Sequence, residues 1–205
     1  MSPAPPLILA SASPRRADLL KQLGMSFEIC VPDVDEEGLV ASMGDELGGA
    51  RHKTLVLAEA KAKRVSSVRP RALVLGADTT VVLGCASDLG KPKDDREAMA
   101  MLRSLSGRVH RVITGVALCD GLSDRIVTEA PVTEVKMREL SPEVIERYVA
   151  SGEPRDKAGA YGIQGRGALL VSDVTGSYTN VVGLPLEILP DLFERLGYSV
   201  WDYVL

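Results

Sequence analysis

The chain has 205 residues, of which 45% are hydrophobic and 25% charged, and its formal net charge is −4. That hydrophobic share excludes a disordered polyelectrolyte, and the length can bury a core as one large domain or two tightly joined lobes. The mild acidity argues against sequence-independent binding of nucleic acid, which needs many phosphate-facing cations, but leaves room for a small phosphorylated ligand held by a local cluster.

Leu7–Ala10 is a short apolar run that reads as a buried strand. It is too short for a signal peptide and has no basic stretch before it. With no run near the ~20 apolar residues of a spanning helix, a soluble cytoplasmic protein is expected. Ser13 and Pro14 suit an N-cap and first helical position; Leu19, Leu20 and Leu23 form a helical stripe, and Gly24 a stop. Phe27–Val31 reads as a second strand and 32–49 as an acidic loop. Leu55, Ala58, Ala62 and Val65 predict a helix over 50–65, with Lys61, Lys63 and Arg64 on a solvated basic face.

Leu73–Leu83 is the strongest strand signal, broken by Gly76-Ala77-Asp78. Asp94 or Asp95 can cap a helix carrying Ala98, Met101, Leu102 and Leu105. Val109–Leu118 and Ile126–Met137 read as a long strand pair. Ser141-Pro142-Glu143 opens another helix. A glycine-rich loop over 156–167, a strand over 168–171 and a closing helix over 185–196 complete an α/β pattern with a mixed sheet. No linker or repeat interrupts it, so 1–205 reads as one domain.

Cys30, Cys85 and Cys119 lie far apart and read as buried thiols rather than a disulfide frame or zinc site. Two histidines make a histidine-built metal centre or a Ser-His-Asp triad a poor fit. Other residues carry chemistry. Ser11, Ser13, Arg15 and Arg16 stand where a strand meets a helix N-terminus, a place that attracts anions, though a capped helix with two surface arginines fits as well. A carboxylate within an apolar strand, Asp78, must be paired, hydrogen-bonded or cation-bound. Asp33, Asp35, Glu36 and Glu37 offer hard oxygen ligands suited to Mg²⁺ or Mn²⁺, or form a solvated loop. Lys91-Pro92 could face phosphate or make a turn. The string Asp156 to Gly165 suits cradling a phosphate or reading a base edge. Together they point to metal-assisted attack of water on a phosphate ester or anhydride.

Several ordered strings resemble the Maf family of nucleoside triphosphate pyrophosphatases: Leu9-Ala10-Ser11-Ala12-Ser13-Pro14-Arg15-Arg16, Gly76-Ala77-Asp78-Thr79, Lys91-Pro92, Leu105-Ser106-Gly107, Thr114-Gly115-Val116-Ala117, Ser151-Gly152-Glu153-Pro154, Asp156 to Gly165, and Asn180-Val181-Val182-Gly183-Leu184-Pro185. The resemblance covers nearly the whole chain. It implies a Maf/Ham1-like (ITPase-like) α/β fold with a long bent mixed sheet, two lobes and a cleft. It implies cleavage of a nucleoside triphosphate between the α and β phosphates with Mg²⁺, Mn²⁺ or Co²⁺, a homodimer, and an association with septum formation and division arrest. Arg15, Thr79 and Gln164 match the subgroup acting on dTTP and UTP, with 5-methyl-UTP and pseudo-UTP as plausible substrates, rather than the one preferring 7-methyl-GTP. Purging modified nucleotides would keep them out of nucleic acid.

By the same resemblance Asp78 would be the general base or a metal ligand, and Glu36 would help hold the cation. Ser11, Ser13, Arg16, Lys61, Lys91 and Lys157 would bind the triphosphate. Arg15, Thr79 and Gln164 would read the pyrimidine. The rival expectation is a nucleotide-binding regulator of septum formation without turnover. A nucleic-acid or membrane partner is not expected: the charge is unfavourable, and two Phe and one Trp offer few stacking surfaces.

Overall fold

The structure, a computed structural model, describes residues 4–43, 49–84 and 87–204. In chain order the strands are β1 Leu7–Ala10, β2 Glu28–Ile29, β3 Leu73–Leu83, β4 Ser87–Leu89, β5 Val109–Asp120, β6 Arg125–Glu129, β7 Val132–Met137 and β8 Val171–Thr175. The α-helices are α1 Pro14–Gln22, α2 Glu36–Ser42, α3 Gly49–Val68, α4 Asp95–Leu105, α5 Pro142–Ala150, α6 Tyr178–Val182 and α7 Leu189–Leu196. All eight strands among the described residues join one sheet in the order β2-β1-β3-β5-β7-β8, with β4 on β3 and β6 on β5. β1 runs parallel to β2 and β3, while β4, β6, β7 and β8 form antiparallel pairs, so the sheet is mixed as expected.

The chain divides into two compact units. Unit 1 comprises residues up to Asp78, Thr114–Pro131 and the chain from Gly183; unit 2 comprises Thr79–Ile113 and Val132–Val182. In unit 1, Ile8, Ala10 and Val74 pack with Ala58, Ala62 and Val65 of α3 and with Ala117 and Cys119 of β5. In unit 2, Ala98, Met101, Leu102 and Leu105 pack with Val112, Val135, Ile145, Tyr148 and Tyr161.

Local chemistry explains most elements. α1 begins at Ser13 with Pro14 in its first turn and gives way to Gly24 at φ 68°. The Asp94 carboxylate caps α4 by accepting from the Glu97 amide at 2.8 Å, and Ser141 caps α5. Four readings are corrected. The acidic stretch 32–49 is not all loop: it contains α2, capped by Asp35, which accepts from the Gly38 amide. The strand expected over Ile126–Met137 is two, β6 and β7, broken at Ala130-Pro131, where Pro131 has no N–H for the ladder. The strand expected over 168–171 begins only at Val171, because Gly165–Leu170 forms 3₁₀ turns. The closing helix opens as a 3₁₀ turn, Leu186–Ile188, before α7. Cys119 is buried, and burial pushes its thiol pKa up, while Cys30 is half-buried; the expectation for Cys85 lies outside the described residues. Among the described residues no helix is long and apolar enough to cross a membrane.

Candidate active site

Asp78 stands in β3 after five buried residues, Leu73 to Ala77. It is half-buried, and its charge is met by Lys61: the ammonium donates to Oδ1 at 2.8 Å. The same ammonium lies 3.0 Å from Glu36 Oε1. The side chains of Lys61 and Asp78 are 10% and 15% exposed, whereas Glu36 is 49% exposed, so the pair is inside and the third group opens to solvent. This overturns the solvated basic face for Lys61. The buried stripe of α3 runs Thr54, Leu57, Ala58, Lys61, Ala62 and Val65, so Lys61 lies on the core side, whereas Lys63 and Arg64 are exposed.

Gly76 makes that reach possible. A Cβ there would lie 2.4 Å from the Ala58 carbonyl oxygen and 2.9 Å from the Ala62 amide nitrogen. Only a glycine lets α3 sit this close to β3, and Lys61 lies on the same turn of α3. Glu36 arrives by a different route. Asp35 caps α2, and Glu36 occupies its first turn, where the helix dipole favours an acid.

Arg16 is buried at the start of α1. Its Nε donates to the Gly183 carbonyl at 2.7 Å and its Nη1 to Ser11 Oγ at 3.1 Å. Burial lowers its pKa, opposed by the charges of Asp78 and Glu36, with Arg15 adding to the lowering. The guanidinium still carries its charge at neutral pH. Ser11 Oγ also accepts from the Ser13 amide at 3.1 Å, so its own O–H is left as a donor. The Ser13 side chain makes no cap bond, against the simple capping reading; its amide is used instead. Arg15 is half-buried in the same first turn. Unit 1 therefore gathers Ser11, Arg16, Glu36, Lys61 and Asp78.

The remaining predicted residues belong to unit 2. Thr79 and Gln164 are half-buried, and Lys91 is exposed. Lys157 is 14% exposed in its side chain, and its ammonium donates to the Glu153 carbonyl at 2.6 Å and Asp156 Oδ1 at 2.7 Å. Two of its three hydrogens are thus taken. Sequence reasoning gave no role to Gly183, whose contribution is a carbonyl and so leaves no side-chain signal, or to Glu153; both were visible only as parts of quoted strings.

Glu36 and Asp78 already share one cation, the Lys61 ammonium, and offer hard oxygen donors. Among the described residues no group of three or more His, Cys, Asp or Glu comes together. Two carboxylates fit an Mg²⁺-class ion, which takes the rest of its shell from water and substrate phosphates, better than a closed zinc site.

Residues 6–196 match the family described as Maf-like protein. The chain belongs to the Maf family. The dTTP/UTP pyrophosphatase of Moorella thermoacetica is 50% identical over 200 residues, covering 97% of this chain and 98% of that protein. The dTTP/UTP pyrophosphatase of Symbiobacterium thermophilum is 49% identical over 195 residues, 95% of this chain and 96% of that one. That of Dictyoglomus thermophilum is 46% identical over 197 residues, covering 95% and 97%. The mixed α/β fold described above is consistent with membership of this family.

Proposed function

We propose that this Maf protein hydrolyses dTTP and UTP to the monophosphate and pyrophosphate, with modified pyrimidine nucleotides such as 5-methyl-UTP and pseudo-UTP as further substrates. The observation that carries the reading is Asp78, held within a buried strand by Lys61 beside Glu36. Support comes from relatives of this length and identity that bear the name dTTP/UTP pyrophosphatase.

Asp78 accepts a proton from the attacking water as the new bond to the α phosphorus forms. The bridging bond to the β phosphate breaks, and pyrophosphate leaves with its electron pair. Lys61 occupies Oδ1 and so aims the carboxylate, leaving the second oxygen for the proton. Glu36 would help hold the divalent cation, which would supply Lewis-acid polarisation of the phosphoryl oxygens. Arg16 and Ser11 donate to phosphate oxygens at the start of α1, where the helix dipole favours an anion. Lys91 and the third hydrogen of Lys157 add positive charge for the leaving group. Gln164 reads the base: its carbonyl accepts from N3–H and its amide donates to O4, the pattern of an imide edge. Thr79 and Arg15 complete the pyrimidine contacts. The working form is a cytoplasmic homodimer.

The test is a substrate panel. Purified protein with Mg²⁺ or Mn²⁺ receives dTTP, UTP, CTP, dGTP and 7-methyl-GTP. TMP or UMP with pyrophosphate is the expected product pair. Orthophosphate with a nucleoside diphosphate, or tight binding without product, would overturn the assignment.

A further inference from the structure

We infer that Glu153, with Tyr148 as its relay, positions the Gln164 carboxamide and thereby sets pyrimidine selectivity. The inference rests on the proposal that Gln164 reads the base. Glu153 follows Gly152 at the end of α5 and opens the 3₁₀ turn Glu153–Asp156. Its Oε1 accepts from the Tyr148 hydroxyl and from the Gly167 amide, each at 3.0 Å, and its Oε2 accepts from the Arg166 amide at 3.1 Å. The Tyr148 hydroxyl in turn accepts from the Gly162 amide at 3.2 Å. One carboxylate thus fastens the chain on both sides of Gln164: through Tyr148 at Gly162, and directly at Arg166 and Gly167.

The segment closes tightly around this anchor. A Cβ on Gly167 would lie 2.1 Å from the Gly162 carbonyl oxygen and 2.7 Å from the Tyr148 hydroxyl. Burial pushes the Tyr148 phenol pKa up, so the hydroxyl stays protonated and donates to the carboxylate. A glycine-rich string left to itself samples many conformations, and a carboxamide discriminates donors from acceptors only when its orientation is held. Glu153 spends both carboxylate oxygens on that restraint, and its carbonyl also holds Lys157. Such support for a recognition group is what separates a precise site from a loose one.

Glu153→Gln keeps the volume but turns one acceptor into an NH₂ facing a donor. Tyr148→Phe keeps the ring in its core position and removes only the relay. In each, with Mg²⁺ present, the KM for dTTP and the inhibition constant of dCTP against dTTP hydrolysis are measured, alongside amide hydrogen exchange. The KM for dTTP should rise about 10-fold while the dCTP constant changes less than about twofold. Exchange at Gly162 should quicken in Tyr148→Phe, and at Arg166 and Gly167 in Glu153→Gln. Parallel weakening of both nucleotides would mark a merely structural role and overturn the inference, as would no change in either. Gln164→Ala separates the two levels. If it leaves the gap between the nucleotides intact, the base-reading assignment fails and the inference falls with it. If it closes the gap while the other two variants do not, the inference alone is wrong.

Discussion

A single ammonium decides what Asp78 can do. Lys61 sits between Asp78 and Glu36, so removing the base and removing the cation have different consequences. Asp78→Asn retains an oxygen for Lys61 and leaves the Lys61–Glu36 pair intact. Its fold should survive, with a urea midpoint close to that of the parent. Its turnover of dTTP should fall at least ~100-fold, because an amide cannot take a proton from water. Lys61→Met should behave oppositely in stability. It strands the largely buried Asp78 carboxylate beside Glu36, which should cost about 2 kcal/mol or more in urea denaturation. Near-normal pyrophosphate release from Asp78→Asn would remove Asp78 as the base. Most of this cluster was legible because Asp78 breaks an apolar strand and arginines follow a strand end. The pairing itself was not legible. Lys61 stands three residues after Ala58 and four before Val65, two members of the stripe that predicted α3, so that stripe held a clue to its burial, but adjacent Lys63 and Arg64 masked it.

At the scale of elements, the site depends on how closely α3 lies on β3. Gly76→Ala would set a methyl group 2.4 Å from the Ala58 carbonyl oxygen and against the Ala62 amide, both backbone atoms that cannot swing aside. The helix must shift outward, carrying Lys61 away from Asp78. Overpacking of this kind costs about 1–3 kcal/mol, and a displacement of ~1 Å at a catalytic group can cost about 100-fold in rate. Gly76→Ala should therefore lose both urea stability and dTTP turnover, whereas Gly90→Ala, with nothing among the described residues within 4 Å of its Cβ, should lose neither. Normal turnover in Gly76→Ala would show that Lys61 tolerates displacement. The elements that sequence periodicity found are those with a buried stripe, such as α3 and α4, whereas α5 was found by its Ser141-Pro142-Glu143 start. α2 buries no residue, so it showed no apolar period and read as loop. The start of β8 was misplaced for a related reason: Leu169 and Leu170 looked like strand, but they belong to the 3₁₀ turns that close around Glu153.

At the scale of the whole molecule, one buried imidazole makes stability depend on acid pH. The chain has two histidines, and His110 is only 2% exposed, in unit 2. Its Nε2 pairs with the Tyr161 hydroxyl at 2.7 Å, the rings meet edge-on, and among the described residues no partner reaches its Nδ1. Burial lowers its pKa from 6.5 to about 4. Above pH 6.5 the imidazole is neutral in both folded and unfolded chains and contributes no pH dependence. As the pH falls from 6.5 towards 4, the unfolded chain binds a proton that the native chain refuses. Stability is lost across that window, by at most about 3 kcal/mol from this group. His110→Gln can keep the bond to Tyr161 but cannot titrate. Urea denaturation at pH 7 and pH 4.5 should show the parent losing about 2 kcal/mol more than the variant over that interval. Because Tyr161 lies in the string from Asp156 to Gly165, the loss should begin with faster amide exchange in that segment. Equal losses in parent and variant would place the acid sensitivity elsewhere.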